Sequence, residues 1–600
     1  MGAALVLSSC SSTPPKNEDE VTSSPTDEAT GETTEPSVIT VGWNEPLKSY
    51  NSNTDHGNAT ANAVILYMAQ SGFNYYDSSL KLTPDTSFGS YEVLNKDPLT
   101  VKYTVAETSV WSDGTPIDAA DLLLSWAGLS ANLNDEVEYD KETGEAIIGE
   151  NQVFFASGSP GLALVKDVPE ISDDNKSITL TYSKPFADWE SAFRTTVPAH
   201  ATAILGEVAT EAQAGKDAVV KAIQENDRAT LAKLADSFRT GFDFVSTPAN
   251  PLQALSSGPY VLTEYVENQF LTLEKNDKYV GDHTGKVDRI VVRYSEDPQA
   301  QVQALQNGEI DMLAPQATAD TLTQLQGLEG VTVLNTVDGT YEHVDMVQNN
   351  GGPFDPATYG GDAEKAKKVR QAFLLTIPRQ KIIDQLILPL NPEAQVRNSF
   401  ILLPDDPNYP RMVEENGSAA YKDVDIEKAK GLLKEAGVEK VDVRFLYAAS
   451  NVRRQQEFVL IAESAKEAGF NVIDGGNDKW GPMLSTAQDQ YDAALFGWQS
   501  TSTAVTESDA NFRTGGLNNF YGYSNAEVDA LFDSLQTETD PAKQIDIQIG
   551  VEKHLWEDAF GTTIFQFPGV NAWNSNIKGV EPISISPTIF AGFWNWELAG

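Results

Sequence analysis

The chain has 600 residues, and its 87 Asp and Glu against 42 Lys and Arg give a net charge of −45. Such an acidic balance argues against nucleic acid as a partner, because phosphate binding requires a clustered basic surface. Hydrophobic residues make up 40% and charged residues 22%, an ordinary globular balance. No apolar run reaches the roughly 18 residues of a transmembrane helix. The length exceeds what one core usually organises, which predicts several domains.

The single cysteine, Cys10, closes a segment that resembles a bacterial lipobox. It follows the apolar run 3–7 and the small residues Ser8 and Ser9. The run is short for a signal peptide, and no Lys or Arg precedes it. One cysteine excludes an intramolecular disulfide and a cysteine-based zinc cluster. We therefore predict that residues 1–10 are a lipoprotein signal remnant and that Cys10 is lipidated.

Residues 11–37 are predicted to be a disordered tether between this anchor and the folded body. They are mostly Ser, Thr, Pro, Asp, Glu and Gly, with Val21 and Ala29 as the apolar exceptions. Such a segment cannot bury enough surface to offset its ordering entropy.

The first half of the body, from Val38, is predicted to mix strands and helices. Short apolar or alternating runs predict strands. Asp118 and Asp297-Pro298 predict helix starts, because Asp caps a helix and Pro fits its first turn. The predicted strands are 38–42, 99–105, 177–182, 261–265, 270–274 and 287–294. The predicted helices are 58–69, one that follows Asp118, an interrupted Ala-rich stretch over 207–238, and one that ends at Gly308.

The second half alternates helices with strands more regularly, which predicts sheets covered by helices. Gly437 and Gly469 are predicted to end helices. The predicted helices are 365–376, 378–386, 426–436, 455–468, 526–535 and 542–556. The predicted strands are 441–446, 491–496 and 562–567.

The sequence contains no recognisable catalytic or metal-binding motif. Walker loops, G-x-G-x-x-G after a strand, H-E-x-x-H and G-x-S-x-G are all missing. The carboxylates are too numerous for one acid/base pair to stand out. We predict a binding protein and not an enzyme, with no metal and no cofactor. The histidines are scattered at His56, His200, His283, His343 and His554.

Several separated stretches resemble the family 5 extracellular solute-binding proteins, the oligopeptide-, dipeptide- and nickel-binding group of ABC importers. In chain order they are VKYTV (101–105) with WSDGTP (111–116), SKPFADW (183–189), SGPY (257–260), QNGEID (306–311), EKAKGLLKEAG (427–437) and YSNAEVD (523–529). Each is weakly specific alone. Their shared order and spacing over residues 38–596 are specific.

The resemblance implies an α/β fold of the type II periplasmic-binding-protein kind, with two lobes joined by hinge strands plus an extra subdomain. By analogy, lobe I comprises 38–75, 166–295 and 568–600, the subdomain 76–165, and lobe II 296–567. In this family the lobes close around a ligand, and the complex then docks on a membrane permease.

Ligands of open α/β sheets bind beyond the carboxyl ends of strands, where two tryptophans lie in this sequence. Trp43 ends the first strand, and Trp498 follows residues 492–497. Aromatic rings on opposite walls would hold a ligand, although either ring could instead fill a core. The predicted ligand-binding residues are Trp43, Asn44, Tyr75, Trp498, Thr501, Phe520 and Tyr521.

Position 501 departs from the family pattern. Peptide-binding relatives carry Gly-Trp-x-x-Asp after this strand, and the Asp pairs with the α-ammonium of the peptide. Here the run is GWQST, residues 497–501. Thr501 supplies no charge, and an unpaired buried ammonium is costly. Either Glu507 or Asp509 substitutes, or the ligand has no free amine.

We therefore predict a monomeric lipoprotein on the outer face of the cytoplasmic membrane, extracellular or periplasmic. It would be anchored through Cys10 and would deliver a small peptide-like solute to ABC permease subunits. An oligosaccharide or another amine-free solute is the second choice of ligand. An anchored glycoside hydrolase, a non-transporting receptor and a nickel or haem carrier are less favoured functions.

Overall fold

The computed structural model describes residues 35–139 and 146–599. The predicted lipidation site, Cys10, and residues 11–34 of the predicted tether lie outside these ranges. Within them, no helix has both the length and the apolar character needed to cross a membrane.

A ten-stranded sheet runs through the body. In chain order its strands are β1 (Val38–Trp43), β2 (Tyr260–Val266), β3 (Phe270–Lys275), β4 (Arg289–Tyr294), β5 (Met312–Leu313), β6 (Val331–Met346), β7 (Val441–Ala448), β8 (Phe470–Asn477), β9 (Ala493–Gln499) and β10 (Gly561–Asn574). Their spatial order is β2-β3-β4-β1-β5-β10-β6-β9-β7-β8. Two groups of strands with parallel pairs, β4-β1-β5 and β9-β7-β8, flank the antiparallel pair β6-β10.

The long strands β6 and β10 join the two halves of the sheet. Residues 331–337 of β6 pair with 568–574 of β10, and residues 341–345 pair with 561–566. The register shifts between Val337 and Tyr341. At this break the Gly339 amide donates to the Ser584 carbonyl over 2.6 Å. A Cβ at Gly339 would lie 2.6 Å from the same oxygen, so the crossing point requires glycine.

The sheet pairing bears on the predicted lobe boundaries. The predicted lobe II includes residues 296–330, but β5 pairs with β1 in the lobe I half. The predicted subdomain end at residue 165 also falls inside a second sheet, because Ser177–Thr181 pairs with Leu99–Val105. We therefore propose that lobe I extends to about residue 330, before β6, and that the subdomain extends to about residue 181.

The smaller sheets lie mostly in the first half of the chain. One has four strands in the order Gly89–Lys96, Leu99–Val105, Ser177–Thr181 and Glu170–Ile171. The two-stranded pairs are Asn74–Tyr76 with Leu82–Pro84, Glu138–Tyr139 with Ala146–Ile147, and Ile577–Lys578 with Glu597–Leu598.

Helices cover the sheets, and several begin and end at the predicted signals. Asp118 and Asp121 form a reciprocal capping box, and Asp297 accepts from the Gln299 amide at the start of the helix with Pro298 in its first turn. Gly437 and Gly469 have φ of 73° and 110°, which L-residues rarely adopt. The helices of the first half are Thr60–Ala69, Ala119–Ser130, Pro160–Ala163, Trp189–Ala192, Ala199–Leu205, Ala212–Glu225, Arg228–Thr240, Pro298–Gln306 and Ala319–Gln326. Those of the second half are Ala363–Leu374, Arg379–Ile382, Tyr409–Glu415, Ile426–Ala436, Val452–Ala468, Trp480–Thr486, Asp509–Phe512, Ala526–Leu535 and Pro541–Glu557.

A buried ion cluster fixes helix Val452–Ala468 to the lobe II half of the sheet. Arg454 Nε lies 2.7 Å from Glu342 Oε1, and Arg453 bridges Glu342 and Glu457 at 3.1 Å each. Burial opposes ionisation, but Arg454 and Arg453 hold the pKa of Glu342 below its usual value. Burial and the Glu342 charge raise the pKa of Glu457. Replacing one of these charged residues by an uncharged one would leave a buried charge without a partner.

Candidate ligand-binding cleft

Hydrogen bonds connect the two halves of the body near the predicted ligand-binding residues. Asn58 Nδ2 donates to Asn518 Oδ1 over 3.2 Å, and the Thr503 amide donates to the Tyr76 hydroxyl over 3.1 Å. Asn58 lies in loop 51–58, and Thr503 lies in loop 500–508. The structure therefore shows the two halves in contact around the candidate site.

Asp188 forms the densest of these links. Its carboxylate accepts from the Val505 amide at 3.1 Å, the Thr506 amide at 3.0 Å and the Thr506 hydroxyl at 2.7 Å. Hydrogen bonds to a carboxylate are stronger than those between neutral groups. Asp188 thus attaches loop 500–508 to the lobe I side. It belongs to the SKPFADW stretch, but sequence reasoning did not single it out.

The lobe II wall carries two stacked aromatic side chains. The rings of Trp498 and Phe520 lie 6.0 Å apart at an interplanar angle of 25°. Both side chains are half-buried, and Trp498 also packs edge-on against Phe496 at 5.1 Å. Residues 503 and 518, which contact Tyr76 and Asn58, lie between the two members of this pair along the chain. A half-exposed ring pair at this place suits contact with an apolar or stacking ligand group.

On the lobe I side, Trp43 is largely enclosed. It is 7% exposed, and its ring meets Phe590 edge-on at 5.2 Å. The next residue, Asn44, is half-buried. The tryptophan ring lies in the lobe I core cluster, so Asn44 presents the more accessible polar group at this strand end. Its role in ligand binding stays a prediction.

Tyr75 and Tyr521 lie within packed surroundings. Tyr75 meets the His283 ring at 4.6 Å and the Trp594 ring at 5.7 Å. Side chains alternate along a strand, so Tyr76, and not Tyr75, makes the contact with lobe II. Tyr521 is 1% exposed in the lobe II core. The sequence analysis predicted Tyr75 as a site residue but not Tyr76, its neighbour on the same strand.

Glu507 brings its carboxylate to Thr501. Its Oε1 accepts from the Thr501 amide at 2.6 Å and the Ser502 amide at 3.0 Å, and the Thr501 hydroxyl lies 3.3 Å away. These hydrogen bonds use one oxygen of the carboxylate. Burial raises the pKa of Glu507, and the two amides counteract part of that rise. The Glu507 carboxylate thus lies beside Thr501, three residues after Trp498.

Asp509, the other acidic residue weighed for this role, has different partners. It is 1% exposed, lies 2.5 Å from Arg513 Nε, and accepts from Gln536 Nε2 over 2.8 Å. Arg513 balances the negative charge of Asp509, and the two partners together occupy its carboxylate oxygens. Of the two acidic residues, Glu507 is therefore the one that lies beside Thr501, and its side chain is half-buried where that of Asp509 is enclosed.

Across residues 35–139 and 146–599, no cluster of three or more His, Cys, Asp or Glu side chains is arranged to hold a metal ion.

Comparison with known proteins matches this architecture. The sequence profile for bacterial extracellular solute-binding proteins, family 5 (middle region), covers residues 87–518. An uncharacterized lipoprotein of Mycobacterium tuberculosis is 24% identical over 92% of this chain and 92% of its own length. The oligopeptide-binding protein OppA of the same organism is 23% identical over 82% of this chain and 74% of its own.

Solved structures show the same fold. The periplasmic EDTA-binding protein EppA aligns with a TM-score of 0.73 at 20% identity, over 95% of this chain and all of its own. The oligopeptide-binding protein AppA of Bacillus subtilis, in complex with a nonapeptide, aligns with a TM-score of 0.69 at 18% identity, over 94% of this chain and all of its own. These likenesses confirm the predicted α/β fold class.

Proposed function

The chain belongs to the bacterial extracellular solute-binding proteins of family 5, and on this premise we propose that it captures a peptide-like solute between its lobes and delivers it to an ABC permease. Family 5 is a substrate-binding group, so the cleft holds its ligand without transforming it. The similarity to proteins named oligopeptide-binding supports the peptide class.

The observation that carries the proposal is that Glu507 accepts a hydrogen bond from Thr501, in the loop that follows the half-buried ring of Trp498. The aromatic rings offer apolar contact area, and the carboxylate offers a charge partner for a peptide α-ammonium. Burial around Glu507 strengthens an ion pair with a ligand, because screening is weaker there than in water. Glu507, from the same loop as Thr501, would thus supply the acid that relatives carry at position 501.

An amine-free solute is the second candidate. Its support is the missing acid at position 501, since an aromatic wall alone suits a sugar or another uncharged ligand. Under this alternative Glu507 shapes the loop by accepting from Thr501 and Ser502, and its charge meets no ligand group.

The membrane attachment is part of the proposal. We propose that Cys10 carries a lipid and holds a monomeric receptor at the outer face of the cytoplasmic membrane. Relatives in M. tuberculosis and Mycobacterium leprae are named lipoproteins, which supports this assignment. Incorporation of a labelled fatty acid into the chain, abolished in Cys10→Ala, is the expected result.

The function is tested by ligand binding to the chain that carries Cys10→Ala, which removes the anchor. Tri-, penta- and nonapeptides, their N-acetylated forms and oligosaccharides are compared by thermal unfolding and calorimetry. A bound peptide at a hundredfold excess over Kd should add about 2.7 kcal/mol to the free energy of unfolding. N-acetylation should weaken binding about tenfold or more, as expected for a lost charged hydrogen bond.

The matched variants separate the two ligand classes. Glu507→Gln should abolish the preference for a free amine, whereas Glu467→Gln, on an exposed position of helix Val452–Ala468, should retain it. Binding of oligosaccharides alone would replace the peptide with the amine-free solute.

A further inference from the structure

A buried histidine and a buried aspartate lie side by side on β6, the strand next to β9. His343 Nδ1 lies 3.0 Å from Asp345 Oδ2, and both side chains are 1% exposed. The other polar atoms of the pair, His343 Nε2 and Asp345 Oδ1, have no hydrogen-bond partner among the described residues. Burying such atoms without a partner is costly, so the pair calls for a physical explanation.

Aromatic rings surround the imidazole. It packs edge-on against Phe496 at 4.3 Å, lies 5.2 Å from the Tyr341 ring, and lies 6.2 Å from the Trp498 ring, nearly parallel to it at 7°. Phe496 in turn packs edge-on against Trp498 at 5.1 Å. The half-buried Trp498 ring thus has a parallel neighbour in His343 as well as in Phe520.

The protonation state of His343 matters in these surroundings. An imidazolium forms an ion pair with Asp345, and its second N–H suits the negative faces of aromatic rings. A neutral imidazole leaves the buried Asp345 charge unbalanced and places a bare nitrogen lone pair among those rings. Histidine is also the side chain whose charge ordinarily changes between about pH 5 and 8. The neighbours therefore hold the ring most firmly when it is charged.

We propose that His343, held by Asp345, is a positioning residue for Trp498 and that it supports this ring best when protonated. Solute binding would then weaken as the pH rises through the histidine range. The inference rests on the proposed function, in which Trp498 contacts the solute, and adds to it a regulation of that site by pH.

Other titratable groups near the pair can be separated from His343. Burial raises the pKa of Tyr521 and Tyr491 well above its usual value, so both phenols stay protonated in the histidine range. The remaining groups are Arg397, which lies over the Tyr341 ring, Glu507 and Glu552, whose charges act on Tyr341, and the cluster of Glu342, Glu457, Arg453 and Arg454, which alternation along the strand places on the other face of the sheet. All of them are retained in a variant that lacks His343, so its difference from the wild type reports on this residue.

The binding test uses a peptide of uncharged residues that is N-acetylated and C-amidated, so that the ligand does not titrate. For the Cys10→Ala chain its Kd should rise about threefold or more between about pH 5.5 and 8.5, as expected when a cation–aromatic contact is lost. Adding His343→Gln should flatten this dependence. Adding Asp345→Asn should move the transition to lower pH, because the imidazolium loses its counter-charge. His554→Gln removes a half-buried histidine that lies 3.3 Å from Glu527, and should retain the full dependence.

A second measurement follows the ring without any ligand. In a chain labelled with fluorotryptophan, the fluorine NMR signal of Trp498 is identified by its loss in Trp498→Phe. This signal should shift between the same two pH values in the Cys10→Ala chain and stay constant after His343→Gln. Thermal unfolding of each variant verifies that it is folded.

The outcomes separate this inference from the proposed function. A Trp498 signal that ignores pH, or a response that survives His343→Gln, would overturn the inference while peptide capture stands. A constant Kd for the blocked peptide across the pH range would overturn the regulation of binding. If no peptide binds but the Trp498 signal responds to pH through His343, the positioning role stands and the peptide class falls.

Discussion

Trp43 and Trp498 both lie at the carboxyl ends of strands in one sheet, yet their surroundings differ. Trp43 is 7% exposed and packs against Phe590 from the C-terminal segment. Trp498 is half-buried and stacks with Phe520. Both rings lie near the end of a strand. The C-terminal segment, distant in sequence, covers Trp43, whereas Trp498 keeps part of its surface exposed.

The difference teaches that a strand end marks where a ligand can bind but not which side chain meets it. On lobe I the C-terminal segment packs against the strand end, where Phe590 meets the Trp43 ring. On lobe II the loop after Trp498 turns towards Asp188 and leaves the ring accessible. The two strand ends therefore differ in exposure, because one ring is enclosed and the other is half-buried.

The largest effect is expected for Trp43→Ala. Emptying a core site of this size should lower the free energy of unfolding by about 3–5 kcal/mol. Urea denaturation measures the loss. Trp498→Ala is the comparison and should cost clearly less stability, because its ring is only half-buried. Equal losses at the two positions would contradict the distinction between core and wall.

Trp498→Ala should instead impair binding. Truncation of an aromatic residue at the centre of an interface typically costs about 2 kcal/mol, or roughly thirtyfold in Kd. Calorimetry with the tightest-binding peptide measures the change. Tyr139→Ala removes a 57% exposed aromatic side chain of the subdomain and should leave Kd unaltered. An unchanged Kd in Trp498→Ala would remove this ring from the site.

Asp188→Asn should weaken the attachment between the walls. The amide retains an acceptor but loses the charge that strengthens bonds from Val505 and Thr506, so we expect a loss of about 1 kcal/mol in closure. Since closure contributes to binding, Kd should rise about fivefold. X-ray scattering would show a larger radius of gyration for the unliganded variant. Asp478→Asn, at an exposed position of lobe II, should change neither quantity.

The smallest effect concerns the pH dependence of loop 51–58 on the lobe I wall. Hydrogen bonds to Asp243 and Asp55 raise the pKa of His56 to about 9. A raised pKa means that the folded state binds the proton more tightly. The stabilisation is thus complete below about pH 6.5 and disappears as the pH rises through about 9. Because the pair is partly exposed, solvent screens it, and we expect less than about 1 kcal/mol.

The measurement is the difference in unfolding free energy between the wild-type chain and His56→Gln at pH 6 and pH 10. The difference should shrink at pH 10. An NMR titration of His56 with a midpoint near its unperturbed value would contradict the ion pair with Asp243.

Elements with strong local signals could be predicted from the sequence. Strand Leu99–Val105 and helices Ile426–Ala436 and Ala526–Leu535 have the predicted bounds, because alternation, Asp and Asn caps and a C-terminal glycine act within a few residues. Strand β6 was not among the predicted strands. Its residues mix polar and apolar types, and pairing with β10 and β9 stabilises it.

The candidate site was predicted less completely than the fold. The aromatic position Trp498 and the acid Glu507 were named from the sequence, the latter because position 501 lacks a charge. Tyr76 and Asp188 were not predicted as site residues. Each contacts a residue that is distant in the chain, and no local sequence pattern predicts such a contact.

The sequence by itself determined the family, the α/β class and the approximate location of the ligand-binding strand ends, since these depend on local periodicity, caps and the order of motifs along the chain. Only the tertiary structure decided which side chains at these strand ends are enclosed and which stay accessible. Whether a ring or a charge is buried, paired or accessible depends on packing by distant segments. Phe590 against Trp43 and loop 500–508 against Asp188 are examples of such packing.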